Sequence, residues 1–258
     1  MKAPAFDYAR PKDVDEALKL LAQGGRPAAG TQSLGPMLNL RLAHPALLVD
    51  IRRIEELRSF SEDQDSVVLG ACVTHAQIED RRVPDPTGGL MASVAAGISY
   101  RAVRNRGTIG GSLAHADPAA DWPAALSLLN AIAVIAGPKG RRAVPVESFA
   151  TGIFTTVLAP EELLVALHIP KRSAAARYGY WKFCRKAGEF AQAIGAALHD
   201  PERDELRAVI GAVNGPPYLL KEMTLNSNTL LAAGLGDDAY SRHLHVVALK
   251  RAVAQIAQ

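Results

Sequence analysis

The sequence contains only two cysteines, Cys72 and Cys184, in 258 residues. A structural zinc site or an iron–sulfur cluster needs about four cysteine or histidine ligands that lie close together. Two cysteines so far apart in the sequence cannot hold either group alone. So few thiols are typical of a protein from a reducing compartment, and we therefore expect a cytoplasmic location.

Long apolar runs are also absent, which argues against a membrane protein. The longest run without a charged residue, 122–138, contains two prolines and is shorter than the roughly 20 residues that span a bilayer. The amino terminus, MKAPAFDYARPKDVDEA, lacks the apolar core of a secretory signal. The net charge of +3 is too small, without a basic run, to indicate nucleic acid. We predict neither a membrane span nor a nucleic-acid partner.

Several common site motifs are missing from the sequence. It has no G-x-x-x-x-G-K-[ST] and no G-x-G-x-x-G after its first strand, so a P-loop nucleotidase and a Rossmann domain are disfavoured. It has no G-x-S-x-G, which weakens a serine-hydrolase interpretation. Without H-E-x-x-H, the pair His243 and His245 is interpreted as a solvated edge, and His115 as a packing residue. We therefore predict no metal site and no catalytic side chain.

Apolar spacing and turn residues predict a mixed α+β chain. Asp13 and Glu16 form a capping-box pattern before a helix that ends at Gly24 and Gly25. The other predicted helices cover 33–41, 74–80 and 85–98, followed by a helix-rich tail that closes with 241–258. The predicted strands are 26–29, 46–51, 66–73, 142–146, 163–169, 178–188, 191–200 and 205–215. We divide the chain into three domains, at 1–60, 61–172 and 173–258.

Two segments combine glycines with hydroxyl side chains. AAGTQSLGPMLNLR occupies 28–41 and follows a predicted strand, and TIGGSLAHADPAAD occupies 108–121. Glycine allows backbone N–H groups to approach a ligand closely, and successive N–H groups at a turn bind anions. Two such segments suggest the two sides of one long ligand, for which a diphosphate is the simplest choice.

Carboxylates and a strand lysine accompany these segments. Asp117 and Asp121 accept hydrogen bonds from sugar hydroxyls or ring N–H groups, which favours a nucleotide cofactor over bare phosphate. Asp117 is equally suited to cap a helix that has Pro118 at its first position. Lys182, on a strand-like segment with Arg185 and Lys186, either faces water or reaches back toward the cofactor.

The two segments resemble a known family. AAGTQSLGPMLNLRL is similar to one characteristic segment of the FAD-binding medium subunit of molybdenum hydroxylases, the carbon monoxide dehydrogenase and xanthine dehydrogenase family. RNRGTIGGSLAHADPAAD is similar to a second, nearly residue for residue, and the likeness continues in order over almost the whole chain. It implies the vanillyl-alcohol-oxidase (PCMH-type) FAD-binding fold. In that fold two subdomains hold FAD, and a small carboxy-terminal domain of the carbon monoxide dehydrogenase flavoprotein type adds a three-stranded sheet and helices.

The resemblance also implies which residues bind FAD. One loop beside the diphosphate corresponds to 29–33 and the other to 108–111. The acidic residues beside the ribityl chain and the flavin correspond to Asp117 and Asp121, and the residues near the isoalloxazine to Leu158 and Lys182. The predicted cofactor-binding residues are Ala29, Gly30, Thr31, Gln32, Ser33, Leu34, Thr108, Ile109, Gly110, Gly111, Ala114, Asp117, Asp121, Leu158 and Lys182. The family has a glycine where this chain has Thr31, whose β-branched side chain resists a positive φ. Either that φ is not needed here or the loop shifts.

The family's function depends on partner subunits. The resemblance implies a large molybdopterin subunit that hydroxylates the substrate and a small subunit with two [2Fe–2S] clusters, in an (αβγ)2 heterohexamer. FAD in this chain would take electrons from the clusters and pass them to an external acceptor such as NAD or a quinone. Two alternatives stay open: a degenerate, FAD-free scaffold subunit, and a free-standing oxidase of the same fold.

Overall fold

Residues 2–220 and 226–257 are described by the computed structural model, apart from the side chain of Ser227. Residues 1, 221–225 and 258, which belong to the first and third predicted domains, lie outside the described residues. None of the described helices combines the length and the apolar composition needed to cross a membrane.

A three-stranded parallel sheet organises the amino-terminal part of the chain. Its strands lie in the order β1 (Asp7–Ala9), β3 (Leu47–Asp50) and β2 (Arg26–Ala28). Helix α1 (Val14–Leu21) begins after Asp13, whose carboxylate accepts the Glu16 N–H at 2.8 Å. Only this half of the predicted capping box forms, because the Glu16 carboxylate accepts the Lys12 N–H at 2.9 Å. Its buried face packs on β3 in one apolar cluster. Helices α2 (Leu34–Asn39) and α3 (Glu55–Arg58) complete this part.

A five-stranded antiparallel sheet forms the middle of the molecule. Its strands lie in the order β4 (Phe60–Glu62), β5 (Ser66–Gly70), β10 (Leu163–Pro170), β6 (Ile132–Gly137) and β7 (Gly140–Pro145). Five helices occur between β5 and β6: α4 (His75–Glu79), α5 (Leu90–Ala96), α6 (Arg101–Arg104), α7 (Ile109–His115) and α8 (Asp121–Leu128). A short hairpin, β8 (Ala150–Gly152) and β9 (Thr155–Thr156), follows β7. The apolar face of the large sheet packs against these helices in the main core.

The carboxy-terminal part contains an antiparallel sheet and two helices. The three expected strands are present as β11 (Arg177–Phe183), β12 (Ala193–Asp200) and β13 (Glu205–Gly211), and a fourth short strand, β14 (Tyr218–Leu220), extends the sheet. Helix α9 spans Ser227–Ala232, and α10 (Ala239–Ile256) covers β11 and β12.

Helix α8 joins the middle and carboxy-terminal parts. Every residue from Asp121 to Leu128 is buried. A helix that is buried on all sides must pack on several neighbours, and α8 contacts α7, β12 and β13. Trp122 and Val209 accordingly belong to one continuous apolar cluster.

The predicted helix at 85–98 is too long. The helix is confined to Leu90–Ala96, and Gly88 and Gly89 before it have φ values of +64° and +119°. Two prolines and two glycines within 84–89 prevent regular helix there, because proline lacks the N–H donor and glycine favours turns. The helical spacing of the apolar residues within 90–98 led the prediction to extend the helix too far toward residue 85.

Candidate functional site

The two glycine-rich segments line one cavity of about 910 Å³. Ligand-binding cavities typically measure about 300–1,000 Å³. Most of the predicted cofactor-binding residues lie on its wall: Ala29, Gly30, Thr31, Gln32, Ser33, Leu34, Thr108, Gly110, Gly111, Ala114, Asp117, Asp121 and Leu158. The structure therefore brings together side chains that are separated by more than one hundred positions in the sequence.

Two predicted residues do not line the cavity. Ile109 is fully buried and packs in the main apolar core, because its side chain points away from the ligand side of α7. Lys182 lies behind the wall, where its ammonium group binds the Asp121 carboxylate and the Gly97 carbonyl.

At Gly30 the first segment touches Arg106 and Gly107, the residues that lead directly into the second segment. A Cβ atom at this position would lie 2.1 Å from the Arg106 carbonyl oxygen and 2.8 Å from the Gly107 Cα. Only glycine permits so close an approach of two backbones. On the other segment, a Cβ at Gly111 would lie 2.6 Å from the Thr108 hydroxyl and 3.8 Å from the Ala29 Cβ. The glycines thus hold the two segments side by side.

The first segment presents a row of unused backbone donors. The N–H groups of residues 30–34 donate no hydrogen bond to any described part of the chain. Thr31 has a φ of +58°, so the expectation that a β-branched residue avoids a positive φ here is wrong, and the threonine itself adopts the left-handed conformation. The Gln32 side chain turns back and donates to the Gly30 carbonyl at 2.9 Å. Consecutive free N–H groups in a left-handed turn form a concave anion-binding surface.

In the second segment, the backbone N–H groups of 109–111 already donate hydrogen bonds to other groups of the chain. The Ile109 and Gly110 N–H groups donate to the carbonyls of Val73 and Ala71, both at 3.0 Å, and Gly111 donates to the Thr108 hydroxyl at 3.0 Å. The sequence predicted free N–H groups here as well, and that prediction is wrong for 109–111. Gly110 and Gly111 present backbone without side chains next to the first segment, and 109–111 do not form a second row of free donors.

Asp117 does not cap a helix. Its carboxylate accepts the Ala119 N–H at 2.9 Å in a tight turn, while α8 begins four residues later with Ala120 as its N-cap. The interpretation that places Pro118 at the first helical position is therefore wrong. Asp117 lines the cavity and retains acceptor capacity for a ligand.

Asp121, on the cavity wall, is the centre of a buried polar cluster. Lys182 Nζ lies 2.9 Å from each Asp121 carboxylate oxygen, and Tyr180 donates its hydroxyl to the same carboxylate at 2.8 Å. Burial, reinforced by the Asp121 charge, raises the pKa of Tyr180 well above its usual value, so the phenol stays a donor. Lys182 therefore reaches back toward the cavity wall, one of the two possibilities left by the sequence.

The sequence did not predict His75 at the site, whereas it interpreted His115 as a packing residue. His75 lines the cavity although it is almost fully buried, and His115 lines it while packing against Phe154 at 5.1 Å between ring centres. Burial lowers the pKa of His115. His245 is buried in α10, with its ring nitrogens facing the Ser241 and Gly211 carbonyls, so the solvated-edge interpretation is wrong for it.

The carboxy-terminal part also reaches the cavity, through Gly188, Glu189 and Phe190. Glu189 and Phe190 immediately follow the basic segment that contains Lys182 in the sequence. No local pattern identifies these residues, since their position depends on the turn between β11 and β12.

Residues 4–172 match the family described as the FAD binding domain in molybdopterin dehydrogenase. The chain belongs to this family. The carbon monoxide dehydrogenase medium chain of Hydrogenophaga pseudoflava is 40% identical over 196 residues, which cover 75% of this chain and 68% of that protein. The 6-hydroxypseudooxynicotine dehydrogenase complex subunit alpha of Paenarthrobacter nicotinovorans is 35% identical over 249 residues, covering 90% and 83% respectively.

Known structures agree with this family membership. A chain in the structure of carbon monoxide dehydrogenase from Hydrogenophaga pseudoflava superposes with a TM-score of 0.89 at 31% identity, covering 100% of this chain and 99% of that one. The family match and this superposition confirm the predicted PCMH-type fold, the recognised family and FAD as its cofactor. The individual contacts of the cavity residues stay predictions.

Proposed function

We propose that this chain is the FAD-binding electron-transfer subunit of a molybdenum-containing hydroxylase or dehydrogenase. In such a complex it passes electrons from the [2Fe–2S] clusters of a partner subunit to an external acceptor. The observation that carries the proposal is the junction at Gly30, where the glycine-rich segments meet beside one cavity with a row of free N–H groups.

The cavity residues fit FAD in their chemistry. The free N–H groups of 30–34 suit the diphosphate, since backbone donors and a left-handed turn favour an anion. Asp117 is placed to accept hydrogen bonds from sugar or ribityl hydroxyls. Leu158 and Asp121, which both line the cavity, are assigned to the flavin ring, and Lys182 offsets the buried Asp121 charge.

When bound, FAD supplies the capacity to accept and release electrons, and the protein supplies binding, orientation and electrostatics. The Cys72 thiol is not suited to replace it. Burial raises the pKa of Cys72 to about 12, which keeps this thiol protonated and unreactive. Asp121, Lys182 and Tyr180 hold fixed charges and a fixed donor beside the cavity wall.

The partners are proposed from the family and from the names of the relatives. The similar proteins are called a medium chain and a complex subunit. We assign molybdopterin to a large partner subunit and the [2Fe–2S] clusters to a small one, in an (αβγ)2 assembly located in the cytoplasm. The substrate would then be chosen by the large subunit, outside this chain.

Titration of the flavin-free full chain with FAD tests the cofactor assignment. We expect saturable quenching of flavin fluorescence at one FAD per chain. A chain that is folded by circular dichroism but does not quench FAD would contradict the assignment and support the scaffold alternative.

Isolation of the complex tests electron transfer. The chain is expected to purify with a large and a small subunit when the three are produced together. Reducing substrate should bleach the flavin absorbance only when the small subunit is present. Substrate-dependent bleaching by the isolated chain would instead favour the free-standing oxidase.

A further inference from the structure

His75 lies on the cavity wall with one ring N–H that has no partner in the described part of the chain. Its exposed fraction is only 5%, yet it lines the cavity. The Trp122 indole N–H, which is an obligatory donor, lies 3.0 Å from the His75 Nδ1. Nδ1 must therefore accept, and the ring hydrogen resides on Nε2. Among the described residues, nothing accepts a hydrogen bond from that Nε2–H.

The imidazole is held without charge. Burial, assisted by the positive charge of Arg104, lowers the pKa of His75 to about 4. At neutral pH the ring is a neutral imidazole with one fixed donor.

The donor lies at the junction of the glycine-rich segments. The His75 backbone N–H donates to the Gly107 carbonyl at 2.9 Å, and Thr74 forms an isolated antiparallel bridge with Thr108. A Cβ atom on Gly107 would lie 2.8 Å from His75 Nε2, and the Gly107 Cα lies 2.8 Å from the Cβ position of Gly30. Gly107 thus touches both the imidazole and the beginning of the free N–H row.

We propose that His75 is a further cofactor-binding residue, whose Nε2–H donates a hydrogen bond to the diphosphate of the nucleotide held by residues 30–34. The inference rests on the proposed function. Diphosphate oxygens only accept hydrogen bonds, so they match a donor whose tautomer Trp122 fixes in advance. In the second glycine-rich segment, the N–H groups of 109–111 already donate hydrogen bonds within the chain. His75 would therefore supply the donor next to that segment.

Two substitutions separate the role of the donor from a structural role. In His75→Asn the side-chain oxygen replaces Nδ1 as acceptor for Trp122, but nothing reaches the position of Nε2. In His75→Gln the amide N–H group reaches about the position of Nε2. A hydrogen bond from a buried neutral donor to a charged oxygen corresponds to about a 10- to 100-fold change in affinity.

The full chain and both variants are titrated with FAD, ADP and riboflavin, and their unfolding midpoints are measured in parallel. We expect His75→Asn to lose about 10- to 100-fold affinity for FAD and for ADP, which share the diphosphate. His75→Gln should retain affinity within a few-fold, and binding of riboflavin should not change in either variant. The Nε2–H proton resonance of the parent chain should shift on addition of ADP.

Each contrary result has a distinct meaning. If the parent chain binds FAD and His75→Asn binds it equally well, the inference is overturned and the proposed function stands. A loss of affinity for FAD and riboflavin, with ADP unchanged, would place His75 at the flavin end and also overturn the inference. If His75→Asn and His75→Gln lose the same affinity and both have lower unfolding midpoints, the role of His75 is structural and the inference is overturned. A parent chain that binds neither FAD nor ADP overturns both proposals.

Discussion

The Lys182 ammonium lies 2.9 Å from both carboxylate oxygens of Asp121, across the boundary between the carboxy-terminal sheet and helix α8. Both side chains are largely buried, at 16% and 8% exposure. Removing one member of such a pair leaves the other charge without compensation.

Lys182→Gln should therefore destabilise the chain. We expect the free energy of unfolding to fall by about 2–4 kcal/mol, because Tyr180 alone then solvates the Asp121 carboxylate. Urea unfolding of the variant and the parent measures the difference. The control is Lys186→Gln, an exposed lysine on the same segment, which should change stability by less than about 0.5 kcal/mol. Equal effects of the two substitutions would show that the pair adds little.

Gly30→Ala should separate the two glycine-rich segments. The added Cβ would meet the Arg106 carbonyl oxygen at 2.1 Å, which the backbone can accommodate only by moving. We expect FAD affinity to fall by at least about tenfold in a titration, since the free N–H row shifts with Gly30. Gly35→Ala is the matched control, because a Cβ there meets nothing within 4 Å. Undiminished affinity in Gly30→Ala would disprove the role of this junction.

Thr31→Gly should stabilise the chain. Thr31 holds a φ of +58°, which costs a β-branched residue of the order of 1–3 kcal/mol, whereas glycine adopts it freely but loses more entropy on folding. The net expected gain is about 1 kcal/mol in the free energy of unfolding. Thr151→Gly, on the short strand β8, serves as control and should lower stability by a similar amount. A decrease in both variants would mean that Thr31 is not strained.

Lowering the pH should destabilise the folded state of the parent chain, because His75 is neutral in that state. Its pKa in the folded chain, about 4, lies below the unfolded value of about 6.5. The folded state therefore prefers the neutral ring, and this contribution to stability is present above about pH 6.5 and is lost as pH falls toward 4. We expect His75→Gln to lose about 2–3 kcal/mol less than the parent over this interval. Exposed His243→Gln should follow the parent, and identical profiles for all three chains would contradict the prediction.

Local sequence patterns predicted which segments form the site, but they did not predict which side chains face the cavity. Gly30 and Gly111 stand in dense local patterns, and their segments do meet at one cavity. Ile109 belongs to the same pattern but points into the core, because the alternation of faces along α7 decides its direction. A motif identifies a segment, and it does not identify which side chains of that segment face the ligand.

His75 shows why other site residues could not be predicted. It follows a clear helix cap at Thr74, and nothing local distinguishes it from an ordinary first-turn residue. Its tautomer is fixed by Trp122, 47 positions away, and its neutral state by burial that only the folded chain provides. The strand pattern around Lys182 likewise left its direction open until Asp121 was located.

The burial of helix α8 determines whether this chain can be cut into stable fragments. All eight of its residues are buried, and it packs on the carboxy-terminal sheet as well as on α7. A fragment ending at residue 172 would leave one side of α8 bare, and such a fragment would aggregate or recruit a chaperone. The predicted domains should accordingly melt together in a calorimeter, and a protease should cut the native chain at its surface turns without releasing a stable flavin fragment. Transplanting this cofactor site into another scaffold would require the complete chain.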